Sequence, residues 1–264
     1  KVPEHLRSYE EVLAYMPNQT YIGNMTPDEL ATYKQPWYDK KAPVCDRYGK
    51  YGEIMPQDEF LGLMQICDVF DLVKLEPAFA QSVKEKLTAH GMLKAEQISV
   101  LDKNADGIEE IERLISEEHA EGLYHEGKLV GAVKRAHDVD VNLSAHTMLE
   151  NIVTKASSVL AILHLLRVTG IAPGEVDYVI DCCEEACGDM NQRGGGNFAK
   201  AAAEVAGLTG ATGSDVRGFC AGPSHALLDA ASLVKAGTFK NVVVTAGGCT
   251  AKLGMNGKDH VKKG

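Results

Sequence analysis

The stretch Gly218-Phe219-Cys220-Ala221-Gly222-Pro223-Ser224-His225-Ala226-Leu227 gathers the residues best suited to chemistry in this 264-residue chain. Gly218 and Gly222 permit a tight turn around the thiol. Pro223 suits the first turn of a helix, where its missing N–H has no partner to lose. Cys220 is therefore expected at a helix N-terminus. Unbonded amides and the positive end of the helix dipole favour thiolate over thiol there, which makes the sulfur a nucleophile near neutral pH. The same amides, at Ala221 and Gly222, are expected to support the turn and to receive the oxyanion of a tetrahedral acyl intermediate. The alternative use of such a residue is a small buried thiol filling a gap.

Cys182, Cys183 and Cys187 follow directly on an apolar strand. They lack the Cys-x-x-Cys pairs of structural metal sites and have no second Cys/His pair at ligand spacing, so no metal is expected. They read as thiols buried between the strand end and the next helix, with Cys183 and Cys187 kept as auxiliary candidates because Cys220 falls at the same sheet edge. The run Asn191-Gln-Arg-Gly-Gly-Gly-Asn197 matches neither phosphate-binding glycine pattern, and its glycines read as close-packing residues. Asp102-Lys-Asn104-Ala-Asp106-Gly107 opens like a calcium loop, but its twelfth position is Arg113, not the bidentate glutamate that calcium needs. Among the histidines, His164 lies within an apolar helix and reads as a packed residue, and His146 and His260 have no partner in the pattern. His225, five positions past Cys220, is out of step with it on a helix face and remains an auxiliary candidate. The sequence thus offers a nucleophile without a clear partner base, and no cofactor is expected.

The elements that must position Cys220 form an alternation. A strand over 176–181, a helix over 198–208, a second strand over 216–219, a helix over 223–236 closed by Gly237 and a fully buried third strand over 241–246 require crossover connections. The expected class is α/β with a mainly parallel sheet, whose ligands collect at the carboxyl ends of the strands. Ahead of it stand a long helix over 144–169 ended by Gly170, two strands about the Glu126-Gly127-Lys128 turn, and a helix over 107–119. The first ~90 residues hold most of the aromatics and prolines, a texture of short helices and irregular connections. Two amphipathic, surface-packed helices are expected there, over 57–70 and 76–90. The expected division is a lead-in segment over 1–100 and an α/β part over 101–264.

Thirty-seven acidic against 27 basic residues give a net charge of −10, which repels nucleic acid in the absence of a segregated basic face. No uninterrupted apolar run reaches the ~18 residues of a membrane span, and seven scattered cysteines do not form a secreted disulfide framework. A cytoplasmic protein that engages neither nucleic acid nor membrane is expected. The chain opens on Lys1 and ends on a polar Lys258-to-Gly264 stretch, and reads as a piece of a longer protein.

From Ser144 to Gly248, the run Val176-Asp-Tyr-Val-Ile180, the glycine-rich loop, Cys220-Ala-Gly222 at the head of a helix and Asn241-Val-Val-Val-Thr-Ala-Gly-Gly248 resemble the N-terminal half of a thiolase-like ketoacyl synthase III fold. Pro3-Glu-His-Leu-Arg7, residues 17–27 from Pro17 to Pro27, and Gly52-Glu-Ile-Met-Pro-Gln-Asp-Glu-Phe60 resemble the component C β subunits of the glycine/sarcosine/betaine reductase complex. That resemblance implies a thiolase-like half-domain behind a family-specific, mostly helical and irregular segment. It makes Cys220 the acyl-carrying cysteine of an acyltransferase-type subunit. It also implies partners: a component C α subunit and a selenoprotein A that delivers a carboxymethyl group, with an acetyl thioester leading to acetyl phosphate. By fold analogy a homo- or hetero-oligomer is expected. The superfamily's His and Asn, or second His, would follow Gly264. The rival readings are a ketoacyl synthase III-type enzyme using coenzyme A or acyl carrier protein, and a non-catalytic scaffold for the α subunit.

Overall fold

A computed structural model describes residues 7–103, 105–140, 143–183 and 197–249. Cys187, the 191–196 part of the glycine-rich loop, Asn104 and His260 lie outside the described residues. The chain divides into two compact units, Lys1–Gln57 with His164–Gly170, and Asp58–Leu163 with Ile171–Gly264.

The first unit carries α1 (Tyr9–Ala14), α2 (Met16–Tyr21) and α3 (Pro27–Ala31). Capping boxes start α1 and α3: Ser8 and Glu11 exchange side-chain and backbone bonds, as do Thr26 and Glu29. Met16, Met25 and Ala42 form a small core with Trp37 and Leu30 against it. With so little apolar area, the unit also relies on buried polar anchors. The fully buried Gln19 amide donates to the Leu13 and Asp46 carbonyls at 2.9 and 2.8 Å. Glu53 bonds Arg47 Nε at 2.9 Å and His164 Nε2 at 3.0 Å. Arg167 donates to His164 Nδ1 at 3.2 Å, so the proton sits on Nε2 and points at Glu53. His164 is thus the packed residue expected of it.

The second unit begins with α4 (Gln57–Cys67), followed by β1 (Val73–Leu75), α5 (Pro77–His90), α6 (Ala95–Ile98), α7 (Ile108–Glu118), β2 (Glu121–His125) and β3 (Lys128–Val133). The helix expected over 57–70 ends at Cys67. Asp68 turns the chain there, its carboxylate accepting the Phe70, Leu72 and Val73 amides at 2.9, 2.5 and 2.7 Å. Nor is α4 a surface helix: every residue from Leu61 to Cys67 is buried, and Lys155 Nζ caps its end by donating to the Cys67 carbonyl at 2.8 Å. The sequence reading missed β1, which is only three residues long and pairs antiparallel with β3 in the order β1-β3-β2. The β2–β3 hairpin is as expected, with Glu126 (φ 49°) and Gly127 (φ 76°) both left-handed, as a two-residue turn with right-handed twist requires. The calcium-like residues Asp102 and Asp106 face lysines, Lys84 at 2.8 Å and Lys74 at 3.8 Å.

The remaining elements are α8 (Ala145–Thr169), β4 (Tyr178–Asp181), α9 (Phe198–Val205), β5 (Thr212–Asp215), α10 (Gly222–Lys235) and β6 (Val242–Thr245). Among the described helices, α8 alone is long and apolar enough to cross a membrane by length and composition. It buries Met148, Ile152, Ala156 and Val159, together with Glu150, Thr154, Lys155 and Ser158. The sheet order is β5-β4-β6 and both pairings are parallel, so this part is α/β with crossover helices, as expected. Two expectations about it change. The second strand is Thr212-Gly-Ser-Asp215, not 216–219; as an edge strand it needs no apolar run, and apolarity was the wrong guide. The third strand, β6, is the other edge and alternates between half-buried and buried, so it is not buried throughout.

Candidate functional site at the carboxyl edge of the parallel sheet

The carboxyl ends of the three strands meet the turn that leads into α10. After Asp215, the Val216 amide still bonds the Asp181 carbonyl at 2.8 Å, and then the chain leaves the sheet. Residues Phe219–Ala221 make a single 3-10 turn and α10 starts at Gly222. Cys220 is exposed on this turn, immediately before the helix. The Ala221 amide donates to the Gly218 carbonyl at 3.0 Å, so it closes the turn and its hydrogen bond is already committed. Gly222 is buried against β4: a Cβ there would lie 3.2 Å from the Cys182 carbonyl oxygen. His225, exposed on the first turn of α10, packs its ring over Gly218, where a Cβ would come within 3.3 Å of its Cδ2. Gly222, Ala226 and Ala230 are the small residues that let α10 settle on Ile180 and Cys182.

The two described cysteines of the cluster point to opposite faces, as successive strand residues do. Cys182 faces α10 and its thiol donates to the Thr245 carbonyl at 3.3 Å; burial pushes its pKa up. Cys183 faces the other way, its Sγ 2.7 Å from Asp181 Oδ2. All described cysteines are thiols and none is in a disulfide.

Sequence reasoning overlooked the charged residues here. Asp181 aligns in register with Asp215 on β5 and Thr245 on β6, which puts the three side chains in a row on one face. Arg217 bridges the row: Nη1 lies 3.1 Å from Asp181 Oδ2 and Nη2 3.3 Å from Asp215, and Nη1 also donates to the Cys183 carbonyl at 3.1 Å. Asp215 accepts the Phe198 and Ala199 amides at 3.0 and 2.8 Å and so ties the start of α9 to the sheet. Burial pushes the Asp181 pKa up, against the opposing pull of Cys183 and Arg217. Burial disfavours the Arg217 cation, but Cys183, Asp181 and Asp215 outweigh it and hold its pKa above the ordinary value. An aspartate closing the apolar run Val179-Ile180 at a carboxyl edge was the available signal, because a charge ends such a run only if something in the fold meets it.

No family model matches the chain. Over its whole length the chain is 64% identical to the glycine/sarcosine/betaine reductase complex component C subunit beta of Peptoclostridium acidaminophilum, in an alignment of 267 residues that takes in 51% of that protein. The chain therefore spans about half the length of the curated relative it matches. Among solved structures, the priming β-ketosynthase from the R1128 polyketide biosynthetic pathway is similar at 30% identity over 34% of this chain and 25% of that one, with a TM-score of 0.30, too low to bear on the fold.

Proposed function

From its relationship to a component C β subunit of the glycine/sarcosine/betaine reductase complex, we propose that the chain carries, at Cys220, the thioester-forming thiol of an acyl-transfer step in such a complex. The observation that supports this most directly is the exposed position of Cys220 on the turn before α10, at the carboxyl edge of a parallel sheet. In the proposed step the Cys220 thiolate adds to an acyl carbonyl, and the tetrahedral oxyanion collapses with loss of the donor's leaving group. Phosphate then attacks the thioester, releasing acetyl phosphate and returning the thiolate. Gly222 lets the turn sit against the strand. The remaining roles belong to the proposal as well: a thiolase-like half-domain, a component C α subunit as partner, and a selenoprotein as source of the carboxymethyl group, whose C–Se bond is exchanged for C–H at the expense of a thiol that closes an S–Se bond with the departing selenium, so that an acetyl and not a carboxymethyl group reaches Cys220.

The test is to incubate the full-length protein with its α subunit and isotopically labelled acetyl phosphate, and to map the acetyl group by mass spectrometry. Label on Cys220 that disappears in Cys220→Ala is expected. Label elsewhere with Cys220 unmodified overturns the assignment. Acetyl phosphate formation by a complex carrying Cys220→Ala would make the chain a scaffold, and turnover of acyl-coenzyme A with a malonyl acceptor would make it a ketosynthase.

A further inference from the structure

We propose that Cys183 is a second activated thiol at this edge, with Asp181 as its proton acceptor and Arg217 as the cation facing its sulfur, able to take acyl groups and to react with thiol-directed electrophiles. Three features carry this. The sulfur lies 2.7 Å from Asp181 Oδ2, and Arg217 Nη1 lies 3.1 Å from that oxygen and 3.9 Å from the sulfur, so thiol, base and cation share one point. Asp181 and Asp215 both face Arg217, and among the described residues no second cation pairs with them, so this row carries one negative charge in excess, with Asp181 itself fully buried. Finally, Asp181 Oδ1 and, in register beside it, Thr245 Oγ1 are buried without a hydrogen-bond partner among the described residues. Orphaned polar atoms side by side at a strand end mark a place where chemistry is prepared, because each costs stability if nothing ever meets it.

In the step inferred, the Cys183 S–H bond breaks and its proton bonds to Asp181, whose affinity for a proton burial has already raised. The excess negative charge moves to sulfur, opposite Arg217. The thiolate then adds to an acyl carbonyl and displaces the donor's leaving group; no oxidant or reductant enters. Nothing in this sequence requires that Cys220 be the acyl carrier.

Cys67 supplies an internal comparison. It is as buried as Cys183, no carboxylate among the described residues hydrogen-bonds its sulfur, and burial, with a smaller push from the neighbouring Asp68 charge, raises its pKa to about 12. The full-length protein is treated with a small neutral thiol reagent, methyl methanethiosulfonate, at about pH 8, and each cysteine is followed by mass spectrometry over time. Cys183 is expected to react at least ~10-fold faster than Cys67, the factor that one pKa unit gives in thiolate fraction. Asp181→Asn and Arg217→Gln should each bring the two rates close together, and Cys220→Ala should leave their ratio unchanged. A rise in Cys67 labelling identifies a variant that has unfolded. Equal rates in the wild-type protein, or a ratio indifferent to both substitutions in folded protein, overturn the inference whatever the outcome for Cys220.

Discussion

Replacing Arg217 by Met should destabilise the second unit in a way that depends on pH. The guanidinium holds Asp181 at 3.1 Å, Asp215 at 3.3 Å and the Cys183 carbonyl at 3.1 Å. Asp215 keeps its two α9 amides without it, whereas Asp181 keeps the Cys183 thiol at 2.7 Å and the longer Cys183 amide bond at 3.3 Å, and has no exposed surface. Removing one partner of a buried ion pair costs ~3–5 kcal/mol. The Arg217 side chain retains 23% exposure, so water partly replaces it and the lower end, ~3 kcal/mol, is expected near neutral pH. Asp181 is an acid whose folded-state pKa burial already raises, and losing the cation raises it further. Such a group's cost is absent below its unfolded-state pKa, grows as pH rises from there to the raised folded-state value, and is complete above it. The stability gap between wild type and Arg217→Met should therefore narrow as pH falls from neutral to mildly acidic. Urea unfolding at several pH values measures it directly. Adding Asp181→Asn should recover roughly half of the neutral-pH loss by removing the stranded charge. A gap constant with pH, or a loss below ~0.5 kcal/mol at neutral pH, would refute the reasoning.

Two further outcomes test packing within the parallel sheet and an ion pair elsewhere in the second unit. Gly213→Ala should cost ~1–3 kcal/mol in chemical denaturation, because its Cβ would lie 2.3 Å from the Val179 carbonyl oxygen of β4 and cannot be accommodated without moving a strand; an unchanged midpoint would mean β5 shifts freely. Asp58 binds Lys86, and although burial opposes ionisation, Lys86 and the Glu59 amide hold the carboxyl pKa below 3.8. Its stabilisation should be present above that value and fade as pH falls through the lower folded-state one, so acid unfolding should begin at higher pH in Lys86→Met.

The sequence by itself determined the features that rest on local chemistry. Gly91, Gly170 and Gly237 follow the helices ending at His90, Thr169 and near Lys235 with φ of 77°, 70° and 71°, a backbone region open to glycine and costly for other residues. The hairpin turn at Glu126-Gly127, the proline-led start of α10 and the exposed thiol ahead of it were legible for the same reason: each depends on a few consecutive residues. The alternation of helix and strand likewise required a parallel sheet. Only the tertiary structure decided which strand was an edge, and with it that the polar Thr212–Asp215 segment pairs with β4 while Val216 does not extend the strand. Only packing on all sides made α4 a core helix. The charged row is the plainest case. Arg217 lies 36 positions from Asp181, and Thr245 aligns with Asp181 only because parallel pairing fixes the register. Local sequence records which side chains can bear charge or react, but the field that decides whether a thiol does so comes from residues the chain brings together by folding.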